Sequence, residues 1–200
     1  MNLKRLIIIF AINAFAYTTA LAAPDDGFTF PVRDGHCVAW KARKRMFLVQ
    51  NVEPVGINCQ ITSRVVTVAD GEYAELRIPV MGFDSGNSMR DKDVAMMLGS
   101  AGKSDIVVRT LTVPKGGLQE MWDTGGGVLK SEMDIAGRKV PVEVSFKVFK
   151  EGDVSVARGT LTSTFGYHGL TAPSVAGGIV TKVDEQIQLH YQLRRDRFLQ

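Results

Sequence analysis

The stretch VPVEVSFKVF, residues 140–149, alternates along almost its whole length. Val140, Val142, Val144, Phe146 and Val148 are apolar, and Glu143, Ser145 and Lys147 between them are polar. Successive side chains of an extended chain point to opposite faces, so a period of two marks a strand with one buried and one wet face. The pattern recurs on both sides. QIQLHYQLRR, residues 186–195, sets Ile187, Leu189, Tyr191 and Leu193 against Gln186, Gln188, His190 and Gln192. VLKSEMDI, residues 128–135, sets Leu129, Met133 and Ile135 against Lys130, Glu132 and Asp134. In EYAELRIPVMGF, residues 72–83, Ala74, Leu76, Ile78 and Val80 share a face, and Glu72, Glu75 and Arg77 supply the polar character around them.

Glycines fall between these runs, and EGD at 151–153 is a tight-turn sequence joining two of them. About eight strands at short spacing predict an all-β domain, either a sandwich or an up-and-down antiparallel barrel. Strand-after-strand hairpins favour the barrel, because closure removes exposed edges. No repeat, low-complexity linker or composition break divides the chain, so residues 23–200 read as one domain.

Residues 1–22 read as a cleaved signal peptide. Lys4 and Arg5 precede the apolar run LIIIFAINAFA, residues 6–16, and Ala20 and Ala22 give a small-x-small cleavage site. The apolar run is shorter than the ~20 residues that span a bilayer. No later run is long enough, so an exported, periplasmic protein with no integral span is expected. Lys4 and Arg5 belong to the 24 basic residues, and none of the 21 acidic residues lies in the first 22, so cleavage leaves a net charge of +1. A near-neutral body argues against nucleic acid. The basic clusters KARKR (41–45) and RRDR (194–197) read as a solvated strand end and tail, with contact to anionic lipid the alternative. Cys37 and Cys59 sit on the two arms of one N-terminal hairpin; if it turns near Leu48 they face each other, within reach of a structural disulfide.

FDSGNSMRDKDVAMML, residues 83–98, is the exception to the strand pattern. From Asp91, Val94, Met97 and Leu98 form one helical stripe, Asp91 and Asp93 suit its first turn, and Gly99 its stop. Catalysis finds no support here or elsewhere. Ser85 and Ser88 lack a nucleophile-elbow context. His36, His168 and His190 are scattered without metal spacing, and His190, on the polar side of its strand, reads as exposed. Asp84, Asp91 and Asp93 do not match a calcium loop, and TGGG at 124–127 lacks the continuation of a P-loop. No enzyme, metal or cofactor is expected.

A barrel of about eight strands is either filled by its side chains or wide enough for one narrow ligand, and periodicity leaves both open. In the hollow case the ligand would meet Trp40, Leu76, Ile78, Val80, Leu129, Met133, Val142, Val144, Phe146, Ile187, Leu189 and Tyr191. IPVMGFDSGNSMRDKDVAMML (78–98) resembles a characteristic segment of the YceI-like family, in which an apolar strand leads to a Thr/Ser-Gly-Asn turn, an Arg-Asp pair and a short helix. LKSEMDIAGRKVPVEVSFKVF, FGYHGLTAP and VTKVDEQIQLHYQL continue the resemblance to its late hairpin, closing loop and last strand. It is weakest over residues 36–61. The resemblance implies an extended, lipocalin-like barrel that binds a polyisoprenoid in the periplasm without catalysis. Under it, Asp91 would cap the helix, Arg90 would be held by a carboxylate or by carbonyls, and the stripe would plug a barrel end; alternatively Arg90 would meet an anionic head group. The expected partner is a lipid or isoprenoid small molecule, with a homodimer also allowed. The rival reading is an exported stress or interaction protein with a filled barrel and a protein partner on its surface.

Overall fold

The computed structural model describes residues 28–47, 49–99, 105–175 and 181–200. The signal segment and Leu48, the expected hairpin turn, lie outside the described residues. The strands are β1 (Cys37–Met46), β2 (Gln50–Val52), β3 (Val55–Asn58), β4 (Thr62–Val68), β5 (Gly71–Ile78), β6 (Ile106–Thr110), β7 (Gly126–Ile135), β8 (Arg138–Glu151), β9 (Val154–Thr164), β10 (Ser174–Val175) and β11 (Thr181–Arg194). The helices are α1 (Ser88–Leu98), α2 (Gly117–Asp123) and α3 (Arg195–Phe198). Eleven strands among the described residues exceed the eight or so expected because β2, β3 and β10 are only 3, 4 and 2 residues long.

All strands belong to one antiparallel sheet in the order β2-β1-β11-β9-β8-β7-β6-β5-β4, with β3 also on β1 and β10 on β11. From β4 to β9, neighbours in the chain are neighbours in the sheet: β4–β5, β7–β8 and β8–β9 through tight turns, β5–β6 and β6–β7 through longer connections that carry α1 and α2. The β8–β9 hairpin closes at Glu151↔Val154, and Gly152 takes φ 61°, a left-handed conformation that a two-residue loop requires. The sheet curls into a barrel that is not strictly closed, with a seam between β4 and the edge that β2 and β3 form on β1. The C-terminal residues fill it. Val65 N donates to Gln200 O at 2.8 Å, Ser63 Oγ donates to Arg197 O at 2.9 Å, and Phe198 is buried. Backbone groups that an open edge would leave unpaired are thereby partly satisfied.

The inward rows follow the alternation. Val140, Val142 and Phe146 of β8 and Ile187, Tyr191 and Leu193 of β11 are buried in one core. Each such side chain contributes roughly 1.5–3 kcal/mol by leaving water. The outer face of β11 departs from expectation: His190 is 2 % exposed and Gln192 1 %. Residues 28–36 cross this face as a strap. Phe28 stacks on His190 with ring centroids 4.1 Å apart, Thr160 Oγ1 lies 2.9 Å from His190 Nδ1, and Gln192 Nε2 donates to Val32 O at 2.7 Å. Alternation reveals that these residues point outward, but not that another segment covers them.

Cys37 and Cys59 are disulfide-bonded, with Cα atoms 4.1 Å apart, which ties the start of β1 to the chain leaving β3. In the 41–45 cluster, Lys41 and Arg43 share Glu53, each at 3.2 Å. In the 194–197 cluster, Arg194 pairs with Asp196 at 2.7 Å and Arg195 with Asp123 at 2.6 Å. Among the described residues no helix is long and apolar enough to cross a membrane.

Candidate functional site

The two ends of the barrel are closed differently. At one end α2 and α3 insert a dense aromatic plug. Trp122, 3 % exposed, lies 6.1 Å from the Phe146 ring and 5.9 Å from the Phe198 ring, centroid to centroid. Leu118 is buried with it, and Leu118 N donates to the Glu72 carboxylate at 3.0 Å, so Glu72 supports the plug rather than marking a wet face.

At the other end lies α1. It starts at Ser88, three residues before the expected Asp91, and Asn87 rather than Asp91 caps it. Asn87 is extended, and its Oδ1 accepts from Met89 N at 3.1 Å and Arg90 N at 3.0 Å, satisfying two of the free amides of a helix start. Asp91 turns back instead, accepting from Ser85 N at 3.1 Å and from Ser85 Oγ. Arg90 grips the same residue from the other side: Nε donates to Ser85 Oγ at 2.8 Å and Nη2 to Ser85 O at 2.6 Å. The loop before α1 is anchored to β3 by paired amide bonds of 2.9 Å between Ile57 and Asp84, and by fully buried Asn58, which donates to Pro79 O at 2.7 Å. Ala95 and Leu98 of α1 are buried, and Val94 and Met97 pack against the core from half-buried positions.

Between α1, β1, β11 and residues 171–174 opens a cleft of about 650 Å³, bordered by Lys44, Asn87, Arg90 and Asp93 and floored by apolar side chains. Inside the barrel lie an apolar cavity of about 100 Å³ and, nearer the aromatic plug, one of about 50 Å³. Trp40, Leu98, Phe165 and Ile187 line both the cleft and the larger cavity. Leu76, Val108, Val144, Tyr191 and Leu193 line both inner cavities. The three spaces therefore follow one another along β11, from Val183 at the cleft to Leu193 at the plug, about 33 Å at ~3.3 Å per residue.

Of the interior residues named from sequence, Trp40, Leu76, Ile78, Met133, Val144, Ile187, Leu189 and Tyr191 line the larger cavity. Leu129 and Phe146 line the smaller one. Val142 is buried on β8 but borders none of the three spaces. Val80 does not extend β5; it lies buried in a single 3-10 turn, Val80–Gly82, that follows Pro79. Sequence reasoning missed Phe165, Leu98 as a cavity wall, and all of α2. The Leu118/Trp122 spacing of four was the available signal for α2.

Polar groups at the cavity are few. Trp40 Nε1 and His168 Nδ1 are buried with no hydrogen-bond partner among the described residues. His168 Nε2 lies 2.8 Å from Ser163 Oγ, a nucleophile–base distance, but both residues are buried. Burial, assisted by Arg138, pushes the His168 imidazole down to about 4. Tyr191 OH donates to Ser145 O at 2.5 Å, and burial pushes the phenol up. Among the described residues no three His, Cys, Asp or Glu side chains cluster to hold a metal.

No protein-family model matches the chain, and no curated protein matches it. Solved structures do. BcnA of Burkholderia cenocepacia superposes with a TM-score of 0.55 at 16 % identity, covering 78 % of this chain and 95 % of that one. A polyisoprenoid-binding domain from Saccharophagus degradans, implicated in plant cell wall breakdown, gives 0.53 at 11 % identity, covering 78 % and 92 %. A YceI protein of Campylobacter jejuni gives 0.48 at 13 % identity, covering 70 % and 82 %. At these identities the likeness is one of fold: the chain has a YceI-like fold, an antiparallel barrel with a short helix across one end.

Proposed function

We propose that the protein is a non-catalytic, exported carrier that holds a long apolar ligand, an isoprenoid or related lipid, in its barrel. The observation that carries this reading is the line from an open, apolar-floored cleft through two apolar cavities to a closed plug. The polyisoprenoid-binding domain of the same fold supports the choice of ligand class. A cleft of about 650 Å³ falls within the ~300–1,000 Å³ typical of ligand sites. Each CH₂ taken from water would contribute roughly 0.8 kcal/mol, and unpartnered Trp40 Nε1 at the cleft floor offers a donor to a polar ligand end.

The inner cavities alone are too small for such a chain, since ~150 Å³ holds a molecule the size of benzene. A lipid would therefore enter by parting Trp40, Leu98, Phe165 and Ile187. The same small volumes favour a second reading, a filled barrel whose surface binds a protein. Mass spectrometry of an organic extract of protein purified without detergent separates the two. A near-stoichiometric long-chain lipid is expected. A clean extract, followed by a fluorescent-lipid titration that shows no saturable binding, would replace the carrier reading with the filled barrel.

A further inference from the structure

We propose that the rim of the cleft docks on an anionic lipid bilayer, so that the cleft opens against the membrane surface. Two sets of exposed apolar side chains flank the cleft. Beyond Lys44, which lines the cleft, the β1–β2 hairpin ends in Phe47 and Val49, 63 % and 86 % exposed. On the facing side, Met89 and Met96 of α1 line the cleft and are 75 % and 56 % exposed. Large apolar groups left in water at the mouth of a cleft mark an interaction surface. These protrude from a tip and a helix, a shape that suits insertion into a head-group layer rather than a protein groove.

The charges point to the sign of that surface. Arg45 stands directly opposite Lys182 in the β1–β11 register, and like charges so placed oppose the pairing. Their row continues to Asn51 on one side and Ser174 on the other, so no acid interrupts it. Among the described residues Lys44, Arg45 and Lys182 have no ion-pair partner, whereas nearby Lys41 and Arg43 share Glu53. On α1, Lys92 offsets Asp93. The rim thus holds three cations with no ion-pair partner among the described residues beside its apolar groups, the combination that anionic lipid phosphates and the hydrocarbon beneath them complement.

The inference rests on the carrier reading for the use of the contact, but its test needs no cargo. Flotation is measured with vesicles of pure phosphatidylcholine and with vesicles holding 30 % phosphatidylglycerol. Binding to the anionic vesicles only is expected, and it should weaken as salt screens the surface charge. Each cation near such a membrane multiplies partitioning about fivefold, so Arg45→Gln with Lys182→Gln should weaken it about 25-fold. Phe47→Ser with Val49→Ser should abolish it, with circular dichroism and melting temperature unchanged because both positions are exposed. The double Gln variant, which removes an opposed like-charge pair, should keep its circular dichroism and melt no lower than the parent. Equal binding to both vesicle types, no binding to either, or variants that bind like the parent would overturn the proposal. Binding equal on both types would indicate uptake of lipid by the barrel, and binding to neither would leave the rim to a protein partner. A long-chain lipid recovered by extraction alongside failed flotation would sink the docking surface and leave the carrier intact.

Discussion

Gly56→Ala tests whether Trp40 is the partition between the cleft and the inner cavity. Gly56 pairs directly with Trp40 across β1 and β3, and the indole lies flat over it. A Cβ on Gly56 would fall within 2.7 Å of three indole atoms, a separation that forces the ring to move. Trp40 is only 5 % exposed, so the ring has to push into the spaces it lines. Overpacking of this kind costs ~1–3 kcal/mol, and about 2 kcal/mol is expected here. With a urea m-value of ~1–3 kcal/mol/M, the midpoint should fall by about 1 M with m unchanged. The chain has two tryptophans, so in a Trp122→Phe background Trp40 fluoresces alone. Its emission should shift on Gly56→Ala, and the association rate of a fluorescent lipid should change several-fold. A midpoint and emission identical to the Trp122→Phe parent would refute the packing of Trp40 over Gly56. A destabilised protein with unaltered lipid kinetics would refute its role as partition.

Acid should unfold this barrel through two histidines. Burial, with Arg197 adding repulsion, pushes His36 down to about 4, and His168 lies equally low, against 6.5 for an ordinary imidazole. The unfolded chain therefore binds protons first as pH falls, so their contribution is full above pH 6.5 and is lost between 6.5 and 4; about 2 kcal/mol per histidine should be gone by pH 5. His36 Nδ1 accepts from Arg194 N at 3.0 Å, so protonation would also break that bond; a urea midpoint unchanged from pH 7 to 5 would contradict this. Glu75→Gln should cost about 2 kcal/mol or more in urea unfolding, because Glu75, 1 % exposed, holds Arg64, Arg77 and Arg109 at 2.8, 3.0 and 2.5 Å, and removing one partner of a buried ion cluster leaves like charges together. The guanidiniums are about half exposed, so adding Arg109→Gln should restore part of the loss. Cys37→Ser with Cys59→Ser should lower stability by about 3 kcal/mol, from a loop closed over 22 residues; equal melting temperatures with and without reductant would show otherwise.

The strands were legible where one face is buried by the barrel itself, as in β7, β8 and β11, because alternation reports which side leaves water. It could not report what arrives from elsewhere in the chain. His190 and Gln192 have the outward positions that their spacing predicts, yet the 28–36 strap buries them with Phe28 and Phe30. Glu75 likewise points outward and is roofed by arginines from two other strands. The helices were legible in proportion to their length. Over α1 the stripe of Val94, Met97 and Leu98 shows, although its start was misplaced because Asn87 and Asp91 are both good first-turn residues and only tertiary contacts with Ser85 divide their roles. Over seven-residue α2, two turns between glycines give too little period to read.

The same contrast identifies the end of the barrel that yields first. The α2–α3 end is fastened by Trp122, whose ring meets both Phe146 and Phe198, and by Glu72 on Leu118 N. The α1 end buries only Ala95 and Leu98 of an eleven-residue helix, with Val94 and Met97 half-buried. Its other ties are polar: bonds within residues 85–91 and the Ile57–Asp84 amide pair that holds the preceding loop to β3. Local opening follows the amount of buried apolar contact that must be given up, so α1 should separate from the barrel at a free energy well below that of global unfolding. Hydrogen exchange measures this directly. Amides of residues 92–98 should exchange through a sub-global opening, while those of β8 and β11 exchange only with the whole molecule. A lipid bound beneath α1 should slow the first set and leave the second unchanged relative to it. If α1 amides instead exchange together with β8, no low-energy opening exists at that end, and a ligand would have no route past Leu98 and Phe165.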